Sequence, residues 1–389
     1  MSTQPLLFTI FLIFAGAAVA ATIALYARQA LIVAYILLGI LFGPSILGWV
    51  NDARLIQNVA DVGIMFLLFL LGLNMHPQKL WKLLREVTWV TLISSSCFAL
   101  VGITVAKLFG FDWLEASVIG ATMMFSSTII GLKLLPTTVL HHQRTGEIMI
   151  SILLLQDVIA IFLLVSLQAK GGENKLLFEI ALLAAAFIGV SALAYLVERF
   201  ILIKLIRRFD KIQEYIFLLA IGWCLGIAEL AKYVGLSHEI GAFIAGIAIA
   251  TNSIALFIAE SLKPLRDFFL IIFFFAMGAS LDVRLLGDVM LPAIVLAVLI
   301  LAIKPYIFRL LLTQSGELRD RAGEIGVRLG QGSEFAFLIA VLAVQMGVIR
   351  QSTSYLIQVT TLLSFILSTY WIVLRYPTPI ATNPKLRRG

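Results

Sequence analysis

Long apolar runs separated by short polar breaks organise this chain. Thirteen runs read as helices: 5–26, 30–48, 57–74, 85–109, 113–135, 146–169, 175–206, 212–232, 236–254, 266–281, 285–312, 322–347 and 352–375. Most match the ~20 residues that an α-helix needs to cross a ~30 Å hydrocarbon layer. None alternates with the period of two that marks a barrel strand, and lipid offers exposed backbone groups no partner, so helices are the default. The runs at 236–254 and 266–281 are short and glycine-containing, and the amphipathic stretch SIALFIAESLKPLR between them reads as a break.

Composition agrees with the pattern. Hydrophobic residues make up 61% of the 389 and charged ones 13%, against about 25% charged in soluble domains. The expected fold is therefore an all-α integral membrane protein of about thirteen transmembrane helices, one transmembrane unit over 1–389 with no room for a soluble domain. Breaks after odd-numbered helices hold most of the cations: Lys79, Lys82 and Arg85; Lys204, Arg207, Arg208 and Lys211; Lys263 and Arg266; Arg319 and Arg321. Breaks after even-numbered helices hold few, such as Arg54, Lys232 or Arg284. Because Lys and Arg stay on the cytoplasmic side, the N terminus is expected outside and the basic tail TNPKLRRG inside. The formal charge of +7 then reflects topology and contact with anionic lipid, and nucleic acid is not an expected partner. The first run lacks a basic leading region and is long enough to span, so it does not read as a cleaved signal. Cys97 and Cys224 fall inside apolar runs and read as small buried side chains.

Two segments resemble each other: DVGIMFLLFLLGLN from Asp61 and DFFLIIFFFAMGAS from Asp267, with Gly72 and Gly278 at the same offset. They are runs three and ten. A shift by seven helices turns equivalent segments over in the membrane, which is an inverted-topology repeat, the architecture of many secondary transporters. The same shift pairs run five with run twelve, and both carry helix-weakening polar residues near their centres. Run five has Ser126, Ser127 and Thr128; run twelve has Gly330, Gln331, Gly332, Ser333 and Glu334. Interrupted helices in corresponding positions point to a transport site, where broken ends offer dipoles and carbonyl oxygens to an ion.

Asp157, in SILLLQDVIAIFLL, places a carboxylate near the middle of a span, where a charge costs roughly 2.5–3.5 kcal/mol on insertion scales. A carboxylate with a proton or with one bound monovalent cation is neutral, whereas the empty anion is not. A lone acid that takes either passenger therefore gives one-for-one exchange by competition. Gln156 beside it offers an oxygen ligand without a second charge, so the simplest exchange is electroneutral. Lys304, next to Pro305 in another apolar run, has three readings: partner of Asp157 in the empty state, structural pair with Glu334, or a side chain snorkelling to the surface. Glu239 reads as a helix-start carboxylate, and His141 and His142 as solvated loop residues.

Together LLGILFGPSILG, DVGIMFLLFLLGL, FSSTIIG, LLLQDVIAI, GLSHEIGAFIAG, FFFAMGASLD and GQGSEFAFLI resemble the second monovalent cation:proton antiporter superfamily, and within it the Kef-type potassium:proton branch. The resemblance implies a homodimer in a bacterial cytoplasmic membrane. It also implies a core domain, here 85–169 and 285–375, moving elevator-fashion against scaffold helices at 5–74 and 175–281. On that basis Asp157 is the ion- and proton-binding carboxylate with Gln156 its neighbour, and Lys304 is the core basic residue. Ser126, Ser127 and Thr128, with Gln331, Ser333 and Glu334, lie in two crossed broken helices. Asn74 stands where relatives often have an acid. No Gly-x-Gly-x-x-Gly fingerprint follows, so a regulatory domain is expected to be separate or deleted.

The expected function is secondary active exchange of potassium for a proton, with sodium as the alternative ion and a gated cation channel as a further rival. An enzyme is not expected, since no HExxH motif appears, and no cofactor is called for.

Overall fold

The structure is a computed structural model that describes residues 6–50, 62–63, 65–66, 68–70, 72–73, 77–134, 144–168, 176–209, 212–236, 238–252 and 254–378, with some side chains, Asp157 among them, outside that description. Asp61, Asn74, His141, His142, the loop with Lys170 and Lys175, and the basic tail lie outside the described residues, as do the side chains of Lys133 and Glu239. The elements are α1 (Leu6–Tyr26), α2 (Leu31–Phe42), α3 (Pro77–Leu108), α4 (Trp113–Met123), α5 (Thr128–Lys133), α6 (Arg144–Gln168), α7 (Leu176–Val197), α8 (Ile203–Arg208), α9 (Gln213–Tyr233), α10 (His238–Ala250), α11 (Ile254–Ala279), α12 (Leu286–Gln314), α13 (Arg319–Arg328), α14 (Glu334–Gln345) and α15 (Gln351–Arg375). The described residues between 62 and 73 are also helical.

Among the described residues, six helical stretches are long and apolar enough to cross a membrane: Leu7–Tyr26, Val87–Leu108, Leu182–Arg208, Gln213–Tyr233, Gly287–Gln314 and Gln351–Arg375. Leu31–Phe42, Ile240–Ala250 and Glu334–Gln345 are shorter apolar helices. Large side chains such as Leu7, Trp89, Leu100 and Leu218 point outward and exposed. Lipid is the solvent that tolerates such a surface. This is a multi-pass, all-helical membrane protein.

Three expected boundaries change. Run two stops at Phe42 because Gly43, whose N–H bonds back to Gly39 O, ends the helix just before Pro44. The stretch read as a break before run ten is helical, and α11 runs unbroken from Ile254 to Ala279 with Pro264 inside it. Its charges misled: Glu260 and Lys263 are exposed and paired with each other, while Ile258, Ala259 and Leu262 are buried, so the segment is an amphipathic helix rather than a loop. Run seven ends in a π-helical turn at Glu198–Leu202 before α8. Of the two cysteines, Cys224 is buried as expected, but Cys97 is only half-buried.

Contacts divide the chain into two compact units, one of residues 1–51, 82–160 and 277–389, the other of 52–81 and 161–276. In the first, Val87, Val90 and Phe98 of α3 pack with Ile148, Met149, Ile152 and Leu153 of α6, Phe308 and Leu312 of α12, and Ala322 and Ile325 of α13. Helix α15 is buried on most of its surface, with Thr353, Ser354, Gln358, Thr361, Ser364 and Ser368 all shielded. In the second unit α9 and α10 pack closely at Gly241, where a Cβ would lie 2.6 Å from Ala228 Cα. Trp223 Nε1 donates to Ala245 O at 3.0 Å across the same pair.

The repeat has a counterpart in the packing. The sequence step from Asp61 to Asp267 and from Gly72 to Gly278 also carries Ala99 to Pro305 and Gly120 to Gly326. A Cβ on Gly120 would meet Ala99 O at 2.5 Å, and one on Gly326 would meet Pro305 O at 2.6 Å. Both contacts bring a helix in close at its lone hydrogen side chain. The exchange holds between halves as well. Gly72 on run three faces Phe243 O and Gly246 on α10, while Gly278 on run ten faces Ile36 O and Ile40 N on α2. Three on nine in one unit thus becomes ten on two in the other. Gly63 packs on Phe269, the residue that the same step assigns to it.

Candidate functional site

Runs five and twelve are each broken where polar residues weaken them. Helix α4 ends at Met123, residues 124–127 are not helical, and α5 starts at Thr128. Helix α13 ends at Arg328, residues 329–333 are not helical, and α14 starts at Glu334. Small hydroxyls start the second halves: Ser127 Oγ accepts from Ile130 N at 3.1 Å, and Ser333 Oγ accepts from Phe335 N at 3.2 Å. Each satisfies an N–H that the first turn leaves without an intrahelical partner.

The two breaks touch. Ser126 Oγ donates to Leu329 O at 2.8 Å, and Gln331 Nε2 reaches Ser127 O at 3.5 Å. Lys304, fully buried on α12, joins them: its Nζ donates to Phe125 O at 2.6 Å and Gln331 O at 3.0 Å, with Ser126 Oγ at 3.4 Å. The ammonium also lies 5.2 Å from the centre of the Phe98 ring. A positive charge there meets carbonyls at the C-terminal, electronegative ends of α4 and α13. The snorkelling reading of Lys304 is overturned, because the side chain ends inside the crossing and not at a surface.

Each break is also held by the helix that follows it in sequence. Gln156, buried on α6, accepts from Ser126 N at 3.0 Å and donates to Met124 O at 3.1 Å. On α15, Ser364 Oγ accepts from Gly332 N at 2.9 Å, and Ser368 Oγ donates to Gln331 Oε1 at 3.0 Å. Sequence reading missed these serines, though the step pairing runs five and six with twelve and thirteen pointed to α15.

The buried face of α6 carries Met149, Ile152, Leu153, Gln156, Ala160 and Leu164. At about 100° per residue, position 157 adjoins this stripe. The side chain of Asp157 lies outside the described residues. Thr128 is half-buried at the first position of α5, and Glu334 is buried at the first of α14, where a carboxylate suits the helix dipole.

Ion pairs and charged hydrogen bonds pin both ends of the crossed region. Glu115 in the first turn of α4 accepts from Arg350 N and Nε at 3.1 and 2.9 Å and from Thr353 Oγ1 at 2.7 Å. Buried Arg328 bonds Glu324, Leu134 O just past α5 and Pro377 O just past α15. Glu317, in the turn before α13, joins Arg144 at the start of α6 to Arg321 on α13. Burial pushes the Glu317 carboxyl up, but the hydrogen bonds from Arg144 and Arg321 outweigh it and leave the group below its ordinary value.

The carbonyls of Met124, Phe125, Ser127, Leu329 and Gln331 already accept from Gln156, Lys304, Gln331, Ser126 and Lys304. These bonds brace both breaks into a polar platform, and each carbonyl oxygen keeps a second lone pair. No group of three or more His, Cys, Asp or Glu among the described residues is disposed to hold a metal ion.

Relatives place this arrangement. The chain is 32% identical over 313 residues to the glutathione-regulated potassium-efflux system protein KefC of Klebsiella pneumoniae subsp. pneumoniae, a match over 79% of this chain and 50% of that protein. It is 30% identical over 348 residues to the KefC protein of Salmonella typhimurium, over 88% of this chain and 56% of that one. The chain thus spans about half the length of the curated relatives it matches. Its fold resembles the sodium proton antiporter MjNhaP1 from Methanocaldococcus jannaschii, with a TM-score of 0.69 and 17% identity, covering 94% of this chain and 95% of that one. Residues 10–374 match the family described as sodium/hydrogen exchanger, transmembrane. This chain belongs to that family of cation:proton antiporters.

Proposed function

We propose that the protein exchanges potassium for a proton, one for one, at the carboxylate of Asp157. The observation that carries the reading is the braced crossing beside α6. Lys304 neutralises both electronegative helix ends, and the Gln156 amide is committed to the first break. Position 157 adjoins the buried stripe of α6, one residue on from the Gln156 brace. With one titrating charge, the proton-loaded and cation-loaded forms are both neutral and the empty form is not.

The potassium assignment rests on the KefC relatives, whose name states potassium efflux. Sodium is the second reading, favoured by the fold likeness to an antiporter whose title names sodium. The remaining parts of the reading are a homodimer, an elevator-like movement of a core (85–169 and 285–375) against scaffold helices, and residence in a bacterial inner membrane with the N terminus outside. The inverted repeat supports alternating access, since it supplies two equivalent packings of one motif.

The test is transport by purified protein in liposomes, with internal pH followed as potassium or sodium is added while an ionophore fixes the voltage. One-for-one exchange gives rates that voltage does not change and a response to potassium at lower concentration than to sodium. Unitary currents would identify a channel and sink the proposal. A strong voltage dependence would mean that a second charge, Lys304 first, moves in the cycle.

A further inference from the structure

A cavity of about 360 Å³ lies in the second unit, at the end of the Leu182–Arg208 span. Its wall includes Tyr195, Glu198, Arg199, Lys204, Arg207 and Asn252. The π-helical turn at Glu198–Leu202 shapes it; such a turn inserts an extra residue and re-aims the side chains around it. Two features of this wall belong to different ligands. Three exposed cations, Arg199, Lys204 and Arg207, line a cavity toward the end of an apolar span, where basic side chains meet anionic lipid headgroups. Glu198 is 3% exposed yet reaches the same cavity, and among the described residues its hydrogen-bond donor is Asn252 Nδ2, at 3.3 Å from Oε1. Arg199 beside it supplies charge, and the carboxylate's remaining acceptor positions suit a cation that donates hydrogen bonds. Arg199 is turned to Tyr195, its guanidinium donating to the phenol oxygen at 3.0 Å, which leaves Lys204 and Arg207 as the freer cations. On the outer face of the same helical stretch, Leu196, Phe200 and Ile201 are exposed apolar side chains against which acyl chains fit.

We propose that this cavity binds the headgroup of a phospholipid bearing a primary amine, its phosphodiester on Lys204 and Arg207 and its ammonium on Glu198. One molecule then satisfies both features: a negative group for the cations and a positive, proton-donating group for the acid, joined by a two-carbon link and anchored by chains lying on the apolar face. A phosphate alone would meet the acid with like charge. A choline headgroup offers no N–H donor, and a glycerol headgroup offers no cation.

The full chain, purified in detergent and stripped of lipid, is titrated with short-chain phosphatidylethanolamine, phosphatidylglycerol, phosphatidylcholine and glycerol 3-phosphate, with bound mass and thermal unfolding as readouts. Phosphatidylethanolamine should bind most tightly and raise Tm, and the exposed pair K204Q/R207Q should weaken it by about tenfold or more, as the loss of charge-assisted phosphate bonds requires. Glu198→Gln, which keeps shape, should retain phospholipid binding but lose the preference for ethanolamine over glycerol and choline headgroups. Equal binding of phosphatidylethanolamine and phosphatidylglycerol by the unaltered chain would overturn the proposal. Unchanged affinity in K204Q/R207Q would do the same. A Tm rise with glycerol 3-phosphate as large as with lipid would assign the cavity to a soluble phosphate instead and also overturn it.

Discussion

Gln156 on α6 and Lys304 on α12 hold the same break by consecutive backbone groups: the amide takes Met124 O and Ser126 N, and the ammonium takes Phe125 O between them. The interruption that lets a helix turn polar in the middle of a membrane is therefore not loose. Met124 O, Phe125 O, Ser126 N and Ser127 O all meet side chains from elsewhere in the chain, as lipid demands of non-helical backbone.

Gln156 must both donate and accept, which separates its variants. Gln156→Glu, ionised, cannot donate to Met124 O, and Gln156→Ala leaves both backbone groups without a partner. Each orphaned buried group costs about 1–3 kcal/mol. The alanine variant should therefore unfold at the lower temperature of the two in detergent, and both below the unaltered chain. Equal Tm for all three would show that the amide does not brace the break.

Removal of the Lys304 ammonium leaves Phe125 O and Gln331 O unsatisfied and two electronegative helix ends facing each other. Lys304→Met, close in length and apolar, should lower stability by about 2–6 kcal/mol, since each of the two orphaned buried carbonyls costs about 1–3 kcal/mol. Thermal unfolding checks this. A stable Lys304→Met protein that exchanges ions normally would remove the ammonium from the account.

Glycines at close approaches should behave unlike glycines in open space. A Cβ at Gly326 would press on Pro305 O at 2.6 Å, whereas nothing lies within 4 Å of one at Gly189. Gly326→Ala should cost about 1–3 kcal/mol through overpacking. Gly189→Ala should be neutral or stabilising by up to ~1 kcal/mol from helix propensity. Matching effects of the two would discount the packing argument, and with it the equivalence of Gly120 and Gly326.

Glu317 gives a pH signature outside the spans. Its folded-state pKa lies below the unfolded value, about 4.3 in a free chain. Its link to Arg144 and Arg321 therefore stabilises the fold above that value and is lost as pH falls through the folded one. Glu317→Gln should unfold at a lower temperature than the unaltered chain at pH 7, and the gap should close in acid. A gap that widens in acid would reverse the assigned sign.

Much of this was legible from residue order. Ser126 to Thr128 and Gly330 to Glu334 marked both breaks, because clustered hydroxyl and glycine residues weaken a helix wherever they fall. Gly72 and Gly278 gave the repeat, which the contacts at Gly120 and Gly326 extend. The role of Gln156 was not legible as a brace, since a polar side chain in a sequence does not say whether it will face an ion or a backbone. The helix through Glu260 and Lys263 was missed because charge on one face of a helix looks like a loop when its partner face is unknown. Ser364 and Ser368 were hidden for the opposite reason: hydroxyls in a long apolar helix most often bond their own turn, and only the crossing gives them a different partner.

Asp157→Asn and the unaltered chain, reconstituted in liposomes at matched density, are compared by the internal pH change that follows a potassium pulse. Asp157→Asn should show no exchange above protein-free liposomes, with its helical content and elution intact. Exchange at the rate of the unaltered chain would contradict the role given to Asp157.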